Sequence, residues 1–194
     1  MWQENRIKEY IKVNLTKERY NHSLGVMKTS EALAIHYGID GYRARIAGLC
    51  HDCAKNFSAS DLLNKAKANG EIIDSVYIKS PHLLHGVVGA YISKELFHVE
   101  DKDILSAIKY HTTGREGMST LEKIVYIADC IEPSRTYKGV EELRKLAFED
   151  LDEALLKSFD DTISYVLSRG AIIHVDTIKA RNYLLINKNN RSDR

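Results

Sequence analysis

Helix-breaking residues are scarce in this chain, and that scarcity limits the folds open to it. Only two prolines, Pro81 and Pro133, occur in 194 residues. Proline ends or kinks a helix because it lacks a backbone N–H and its ring clashes with the preceding turn. Apolar residues recur three and four positions apart along the chain, and no sustained period-2 alternation typical of strands is present. We therefore expect an all-α, single-domain helical bundle.

Capping residues and glycines set the expected helix boundaries. Ser, Thr and Asp favour helix N-termini because their side chains accept hydrogen bonds from first-turn N–H groups. Thr16 and Asp40 stand at such positions, and Ser119 with Glu122 forms a full capping box. The predicted helices span about 7–15, 17–37, 41–51, 59–69, 81–96, 101–111, 120–132, 140–148, 151–169 and 176–187. Residues 1–187 then form one domain, and 188–194 form a polar, frayed tail.

Composition excludes several classes of protein. The 28 Lys and Arg residues nearly balance 27 Asp and Glu residues, for a net charge of +1, which argues against a nucleic-acid partner held by a basic face. With 44% hydrophobic residues, disorder is not expected. No apolar run is long enough for a membrane span, and the start lacks a signal-peptide core. Three cysteines do not make a disulfide framework. We expect a cytoplasmic protein with no membrane partner; a homodimer is left open.

An adjacent histidine and aspartate, His51 and Asp52, end an apolar segment and suggest a metal site. Neighbouring side chains on a helix point about 100° apart, so one ion between those directions can contact both. His22 and Asp129 also interrupt apolar helices and are candidates to complete the set. Each alone is more often a hydrogen-bonded helix residue, but the combination favours a metal. Imidazole and carboxylate ligands suit Fe, Mn or Zn.

These residues, with the strings around them, resemble the HD-domain phosphohydrolase superfamily, and within it the YqeK-type branch of bacterial symmetrical bis(5′-nucleosyl)-tetraphosphatases. The resemblance covers about residues 10–187. The strings that carry it are Arg19–Val26, Gly48–Lys55, His82–Gly86, Lys109–Gly114, Lys123–Asp129 and His174–Asn182.

The resemblance implies a two-metal centre. His22, His51, Asp52 and Asp129 would hold one ion, and Asp52 would bridge to a second ion held by His85 and His111. The implied metal is iron, with manganese or zinc possible. The implied substrate is diadenosine tetraphosphate or a related dinucleoside polyphosphate, cleaved to two ADP by a metal-activated hydroxide. Two ions about 3.5–4 Å apart suit such an in-line phosphoryl displacement. Substrate would also lie against the ligands His85, His111 and Asp129.

Two cationic side chains and one hydroxyl are expected to contact phosphate. Lys55 follows Asp52 by one helical turn if the helix continues, and Arg135 follows the helix that carries Asp129. Their expected task is to stabilise charge on the reacting phosphates, which makes them candidate catalytic residues with Asp52. The alternative is that both are solvated surface charges. Thr112 could add a hydroxyl contact.

A short apolar stretch before the last helix resembles the nucleoside-contacting segment of the family. Its residues are Ile172, Ile173, His174, Val175, Asp176 and Thr177. A helix N-terminus there would leave backbone N–H groups free for a ligand. Alternatively, Asp176 and Thr177 only cap the last helix, and the two isoleucines belong to the core. Lys179 and Arg181 are candidates to reach a distal phosphate, although solvation on the helix surface is favoured for Lys179.

Two other hypotheses stay open. The same ligands would fit an HD-domain nucleotide phosphatase or cyclic-dinucleotide phosphodiesterase, and structural histidines would fit a non-catalytic nucleotide-binding module. Cys50 and Cys53 are not expected to bind structural zinc, since only Cys130 remains to complete a four-ligand site. The other histidines, His36, His82 and His98, are expected to be bystanders.

Overall fold

The computed structural model describes residues 1–192, which contain helices and connecting turns and no strand. The all-α prediction is therefore confirmed. The helices are α1 (Glu4–Asn14), α2 (Lys17–His36), α3 (Gly41–Cys50), α4 (Ala59–Ala68), α5 (Ser75–Lys79), α6 (His85–Glu95), α7 (Lys102–Tyr110), α8 (Thr120–Ile131), α9 (Val140–Glu149), α10 (Leu151–Ser168) and α11 (Val175–Ser192). Within these residues, no helix is both long and apolar enough to cross a membrane.

The predicted caps lie where the sequence places them. The Thr16 side chain accepts a hydrogen bond from the Arg19 backbone N–H at the start of α2. Asp40 accepts two backbone N–H bonds at the start of α3. Ser119 and Glu122 form both bonds of the capping box that opens α8. These local contacts satisfy first-turn donors that a helix leaves without partners, which is why the boundaries were predictable.

Several helices differ from the prediction, and the first, α1, begins at Glu4 rather than at about residue 7. Pro81 opens a 3₁₀ turn, Pro81–Leu84, and α6 begins only at His85. The single-turn helix α5 was not predicted; it is too short to show a period, although Asp74 caps it. The last helix continues past Asn187 to Ser192, since no glycine or proline stops it. The polar tail stays a prediction, and residues 193–194 lie outside the described part of the chain.

The main core lies between α2, α3, α7 and α8. Helices α2 and α3 pack most extensively against one another, and Gly48 allows their close approach. A Cβ at Gly48 would lie 2.7 Å from Ser30 Oγ and 2.9 Å from the Val26 carbonyl oxygen. Real Cβ atoms do not approach this closely, so a glycine is needed there. This close packing positions the end of α3, where His51 and Asp52 follow, against the middle of α2.

A second, smaller core lies beneath α4. It consists of buried residues from the turn after α3, from α4, from the 3₁₀ turn and from α6: Ala54, Leu62, Ala66, Leu84, Val87 and Val88. Helix α4 contacts the 3₁₀ turn and α6. We call this group the α4 core; it borders the segment that carries His85.

Candidate metal centre

Five elements converge to bring the predicted ligands together. His22 lies in the first half of α2, and His51 and Asp52 directly follow α3. His85 is the first residue of α6, His111 directly follows α7, and Asp129 lies near the end of α8. The imidazole centroids of neighbouring pairs are 5.2 Å apart for His22 and His51, 4.9 Å for His51 and His111, and 4.8 Å for His85 and His111. The structure thus assembles all six residues in one cluster.

Three of these histidines share one orientation. The Nδ1 of His51, His85 and His111 lies 2.7, 2.5 and 2.7 Å from the carbonyl oxygen three residues earlier in the chain. A carbonyl oxygen only accepts, so Nδ1 carries the proton in each ring. The Nε2 atoms therefore present lone pairs toward the cluster. Fixing the tautomer in this way is typical of metal-binding histidines.

His22 is held differently, by two carboxylates. Its Nε2 lies 3.0 Å from Asp129 Oδ1, and its Nδ1 lies 3.0 Å from Glu132 Oε1. Glu132 is only 1% exposed, and the Ser134 backbone N–H donates to its other oxygen at 2.8 Å. Glu132 also packs on the backbone of α2 at Gly25, where a Cβ would collide with the carboxylate. Carboxylates at both ring nitrogens favour positive charge at this position.

The lone pairs of His85 and His111 face each other. Their Nε2 atoms are 3.0 Å apart, and Asp52 Oδ1 lies 3.1 Å from the first and 3.5 Å from the second. Lone pairs and a carboxylate oxygen at such distances repel one another unless a cation lies among them. Lys55 supplies one, with Nζ 2.9 Å from His85 Nε2 and 3.4 Å from Asp52 Oδ1.

The buried atoms of the cluster fit a divalent metal. His51 Nε2 and Asp52 Oδ1 are buried and have no hydrogen-bond partner among the described residues. Ligand atoms of His22, His51 and Asp129 lie within 4.8 Å of one another, as do those of His51, Asp52 and His111. Buried polar atoms without partners are costly, and imidazole nitrogen with carboxylate oxygen is a donor set for transition metals. The residues present are therefore suited to divalent metal binding.

The protonation states of His51, His85 and Asp52 are those that bind a metal, whereas His22 must lose a proton to do so. Burial lowers the pKa of His51 to about 4 and also lowers the pKa of His85, so both rings are neutral near pH 7. Burial would raise the pKa of the Asp52 carboxyl, but the adjacent imidazoles and Lys55 hold it well below its usual range. Burial opposes protonation of His22 too, yet Asp129 and Glu132 raise its pKa. Neutral imidazole and ionised carboxylate are the metal-binding forms.

The predicted phosphate-binding side chains surround the cluster. The sequence analysis considered Lys55 on a continued helix, but α3 ends at Cys50. A turn brings Lys55 back to Asp52 instead. Thr112 Oγ1 lies 3.1 Å from Nε2 of both His85 and His111. The Arg135 guanidinium lies against Asp129, with one nitrogen 2.5 Å from Oδ1, and its side chain is 40% exposed. Part of the Arg135 guanidinium is therefore already hydrogen-bonded to Asp129.

The segment 172–177 lies beside this cluster rather than in it. His174 is buried against Tyr77, with ring centroids 5.1 Å apart, and its Nε2 has no partner among the described residues. The Asp176 backbone N–H donates to His174 Nδ1 at 3.2 Å, so His174, and not Asp176 or Thr177, caps the start of α11.

The flanking residues of this segment differ in burial. Thr177 is buried, Ile173 is partly buried, and Val175 is exposed. Ile172 is 47% exposed, which rules out the alternative that it belongs to the core. Arg181 pairs with Asp160 at 2.6 Å, so it is held by α10, and Lys179 is exposed. The exposed apolar side chains of Ile172 and Val175, next to the buried hydrogen-bond donor His174, can accommodate a ligand.

Sequence reasoning missed two residues of the cluster. Glu132, which holds His22, stands three residues after Asp129 at the end of the same apolar helix. Arg19 stands three residues before His22, and its guanidinium lies 3.7 Å from Asp52 Oδ2. Side chains three apart on a helix share a face. An ionic residue at that spacing from a ligand is the signal that could have identified both.

The remaining candidates are structural. The three cysteines are unpaired thiols, and burial raises the pKa of Cys50 and Cys130 to about 12. His36 and His98 are exposed; His82 is exposed as well and contributes its carbonyl, not its ring, to His85.

A helical bundle with a buried His/Asp cluster of this arrangement defines an HD-domain protein, and the HD domain family matches residues 19–134. Similar proteins identify the family within the HD-domain proteins. The chain is 41% identical to the symmetrical bis(5′-nucleosyl)-tetraphosphatase of Bacillus subtilis over 90% of this chain and 94% of the relative. It is 33% identical to the Staphylococcus aureus protein of the same name over 92% of each. The chain belongs to the symmetrical bis(5′-nucleosyl)-tetraphosphatase family of HD-domain proteins.

A solved structure shares the fold. It is described as a predicted HD superfamily hydrolase involved in NAD metabolism, from Clostridium acetobutylicum. It is 49% identical in sequence, with a TM-score of 0.95 over 96% of this chain and 99% of that chain. The two chains therefore share one fold over nearly all of their aligned lengths.

Proposed function

We propose that this protein hydrolyses diadenosine tetraphosphate, and related dinucleoside tetraphosphates, at the central phosphoanhydride to give two ADP. The observation that carries the proposal is the cluster itself: six His and Asp side chains from five elements, with buried lone pairs and carboxylate oxygens directed at one another. The family relationship supports the substrate class. Support for a nucleoside contact comes from His174, which is buried and whose Nε2 has no partner among the described residues.

We propose further that two transition-metal ions, iron in the first instance, occupy the cluster. His22, His51, Asp52 and Asp129 would hold one ion; His85 and His111 would hold the other, with Asp52 shared. Support comes from the Asp52 carboxylate: Oδ2 lies 3.8 Å from His51 Nε2, and Oδ1 faces His85 and His111. Such ions neutralise phosphate charge and lower the pKa of water.

The protein's own side chains would position the phosphates and stabilise their charge. Lys55 and Arg135 present cationic groups on two sides of the carboxylates Asp52 and Asp129. Arg19, 40% exposed, adds a third guanidinium near Asp52. The Thr112 hydroxyl can donate to a phosphate oxygen. Because the leaving ADP is a weak base, charge stabilisation is the main requirement. His174 would donate its Nε2 proton to the nucleoside beside the cluster.

The test is hydrolysis of diadenosine tetraphosphate by the purified protein supplied with Fe²⁺ or Mn²⁺, with chromatographic separation of the products. We expect ADP as the only nucleotide product. ATP with AMP would contradict symmetrical cleavage, and no cleavage with either metal would contradict the substrate. A panel with nucleoside monophosphates and cyclic dinucleotides, ranked by kcat/KM, separates this function from the other phosphohydrolases of the fold.

Replacement of the shared carboxylate tests the site itself. We expect Asp52→Ala to abolish turnover and to reduce bound metal, because it removes the contact common to both proposed ions. Its helix content by circular dichroism should match that of the unaltered protein. Unchanged activity would contradict the assignment.

We also propose a cytoplasmic location, which the unpaired thiols support.

A further inference from the structure

A cleft of about 430 Å³ opens between the turn after α8 and the first turn of α9. Its wall includes Arg135, whose guanidinium also contacts Asp129 at 2.5 Å. One side chain thus belongs both to the candidate centre and to the cleft. The volume lies within the range of about 300–1,000 Å³ usual for small-molecule sites. None of the sequence motifs discussed above accounts for this cleft.

Symmetrical cleavage requires room for two equal halves of the substrate. The reacting phosphates lie at the middle, so one nucleoside extends to each side of the cluster. The proposed function assigns one of them to the segment at His174, which packs on Tyr77. We propose that the cleft beside Arg135 binds the second nucleoside; this inference rests on the proposed function.

The lining of the cleft suits a base and a ribose. Tyr137 donates its hydroxyl proton to the Cys130 carbonyl at 3.0 Å, which fixes the ring, yet the residue is 45% exposed. A fixed, exposed aromatic ring is a stacking surface for any base. The exposed carboxylate of Glu142 lies in the same cleft, and a carboxylate accepts hydrogen bonds from ribose hydroxyls.

The charges of the cleft favour a neutral occupant over a second phosphate. Arg135 and Arg144 are matched by Glu141 and Glu142 in the lining, and Arg144 pairs with Glu141. A nucleoside carries no charge, and its phosphates would lie toward Arg135, where the cleft meets the centre. The uncharged nucleoside would thus lie in the charge-balanced cleft, and its phosphates would lie near the cationic Arg135.

The wall is also preorganised. Arg144 donates to the carbonyl oxygens of Ile131, Glu132 and Arg135 at 2.8, 2.9 and 2.8 Å. These bonds fasten the turn that carries Tyr137 to α9. A binding surface that is already rigid loses less entropy when a ligand docks.

The test compares two substrates that differ by one nucleoside: diadenosine tetraphosphate and adenosine 5′-tetraphosphate. We expect Tyr137→Ala to lower kcat/KM for diadenosine tetraphosphate about tenfold or more, since base stacking is lost, and to leave kcat/KM for adenosine 5′-tetraphosphate unchanged. Tyr137→Phe, which keeps the ring, should retain the preference for the dinucleotide. Tyr165→Ala, at a 66% exposed tyrosine on α10, is the matched control and should change neither value.

Two results would overturn the inference. An equal loss on both substrates would show that Tyr137 acts on the shared half of the substrate or on folding. No loss on diadenosine tetraphosphate would show that the cleft is not used. If the unaltered protein cleaves neither compound with Fe²⁺ or Mn²⁺, the proposed function fails and the inference with it, a result distinct from the other two.

Discussion

At the scale of single residues, Glu132 distinguishes His22 from the other three histidines of the cluster. His51, His85 and His111 donate to neutral carbonyl groups, whereas His22 contacts a buried carboxylate. A carboxylate behind a ligating imidazole raises its basicity and fixes its orientation. His22 is therefore expected to be the strongest imidazole donor of the four.

We expect Glu132→Gln to weaken metal binding about 10- to 100-fold, the usual effect of removing such a partner, while helix content is kept. Isothermal titration of the metal-free protein with Mn²⁺ measures this directly. Glu122→Gln is the matched control: Glu122 is also 1% exposed, but it caps the opposite end of α8 and pairs with Arg115. The control should lower stability and leave metal affinity unchanged; equal losses in both variants would contradict a positioning role for Glu132.

The candidate ligands His22 and Asp129 were predictable from sequence because each is a polar residue where the local pattern calls for an apolar one. Asp129, between Ala128 and Cys130, is the clearest case. His85 and His111 came only from the family resemblance.

Glu132 does not interrupt an apolar run in this way, since Pro133 follows it, and only its spacing of three residues from Asp129 marks it. Its partner His22 lies 110 residues away. The local sequence pattern shows that a polar residue stands in an apolar helix. It does not show which distant residue is the hydrogen-bond partner of that residue.

At the scale of helices, the close contact of α2 and α3 sets the geometry of the site. We expect Gly48→Ala to lower the free energy of unfolding by about 1–3 kcal/mol, a typical overpacking cost, since the new Cβ would meet Ser30 and the α2 backbone. Urea denaturation measures the change. Metal affinity should fall too, because His51 donates to the Gly48 carbonyl.

Gly41→Ala is the control for this substitution. Its Cβ would lie 3.1 Å from Ile35 Cγ1, a side chain that is 68% exposed and free to move. A loss of stability as large as that of Gly48→Ala would show that the buried contact of Gly48 with the α2 backbone is not the cause.

A second contact ties α1 to α3 and depends on pH. Arg45 donates two hydrogen bonds to Glu4, at 2.6 and 2.9 Å, and these bonds lower the pKa of Glu4 from 4.5 to about 2. The pair therefore stabilises the fold fully above pH 4.5, and this stabilisation is lost as the pH falls toward 2. We expect Glu4→Gln to cost about 1 kcal/mol at pH 7 and clearly less at about pH 3, by urea denaturation. A difference that does not change with pH would contradict this linkage.

Side-chain caps were the clearest boundary signal for the longer helices, although α5 has a cap and was not predicted, and α9 begins as predicted without one. Thr16, Asp40 and Ser119 cap helices by contacts within three residues, which sequence spacing records. The 3₁₀ turn at Pro81–Leu84 packs instead against α4, and the single-turn α5 packs against that 3₁₀ turn. Tertiary contacts decide such short elements, and periodicity carries little information about them.

At the scale of the whole molecule, a net charge of +1 conceals a strongly polarised interior. The carboxylates of Asp52, Asp129 and Glu132 meet at one place, and the cations Lys55 and Arg135 stand around them. Only position in the fold reveals this, since the composition counts opposite charges as cancelled. Metal ions bound there would link helices from both halves of the chain.

We therefore expect metal to stabilise the entire fold. Added to the chelator-treated protein at about 100 times its dissociation constant, Mn²⁺ or Fe²⁺ should contribute about 2.7 kcal/mol. For a chain of this length that corresponds to a rise in Tm of about 5–10 °C by differential scanning calorimetry. Asp52→Ala should show a much smaller rise. The same rise in both proteins would place the stabilising ion elsewhere.

The α4 core has a kinetic consequence. Its six buried residues form a group separate from the main core, so α4 can detach while α2, α3 and α8 remain packed. Regions with few buried contacts open locally at a lower free energy than global unfolding requires. The amide protons of Ala59–Ala68 should then exchange with deuterium faster than those of Thr120–Ile131. Each such opening would expose the flank of His85 to solvent, giving products a departure route that leaves the ligand-bearing helices intact.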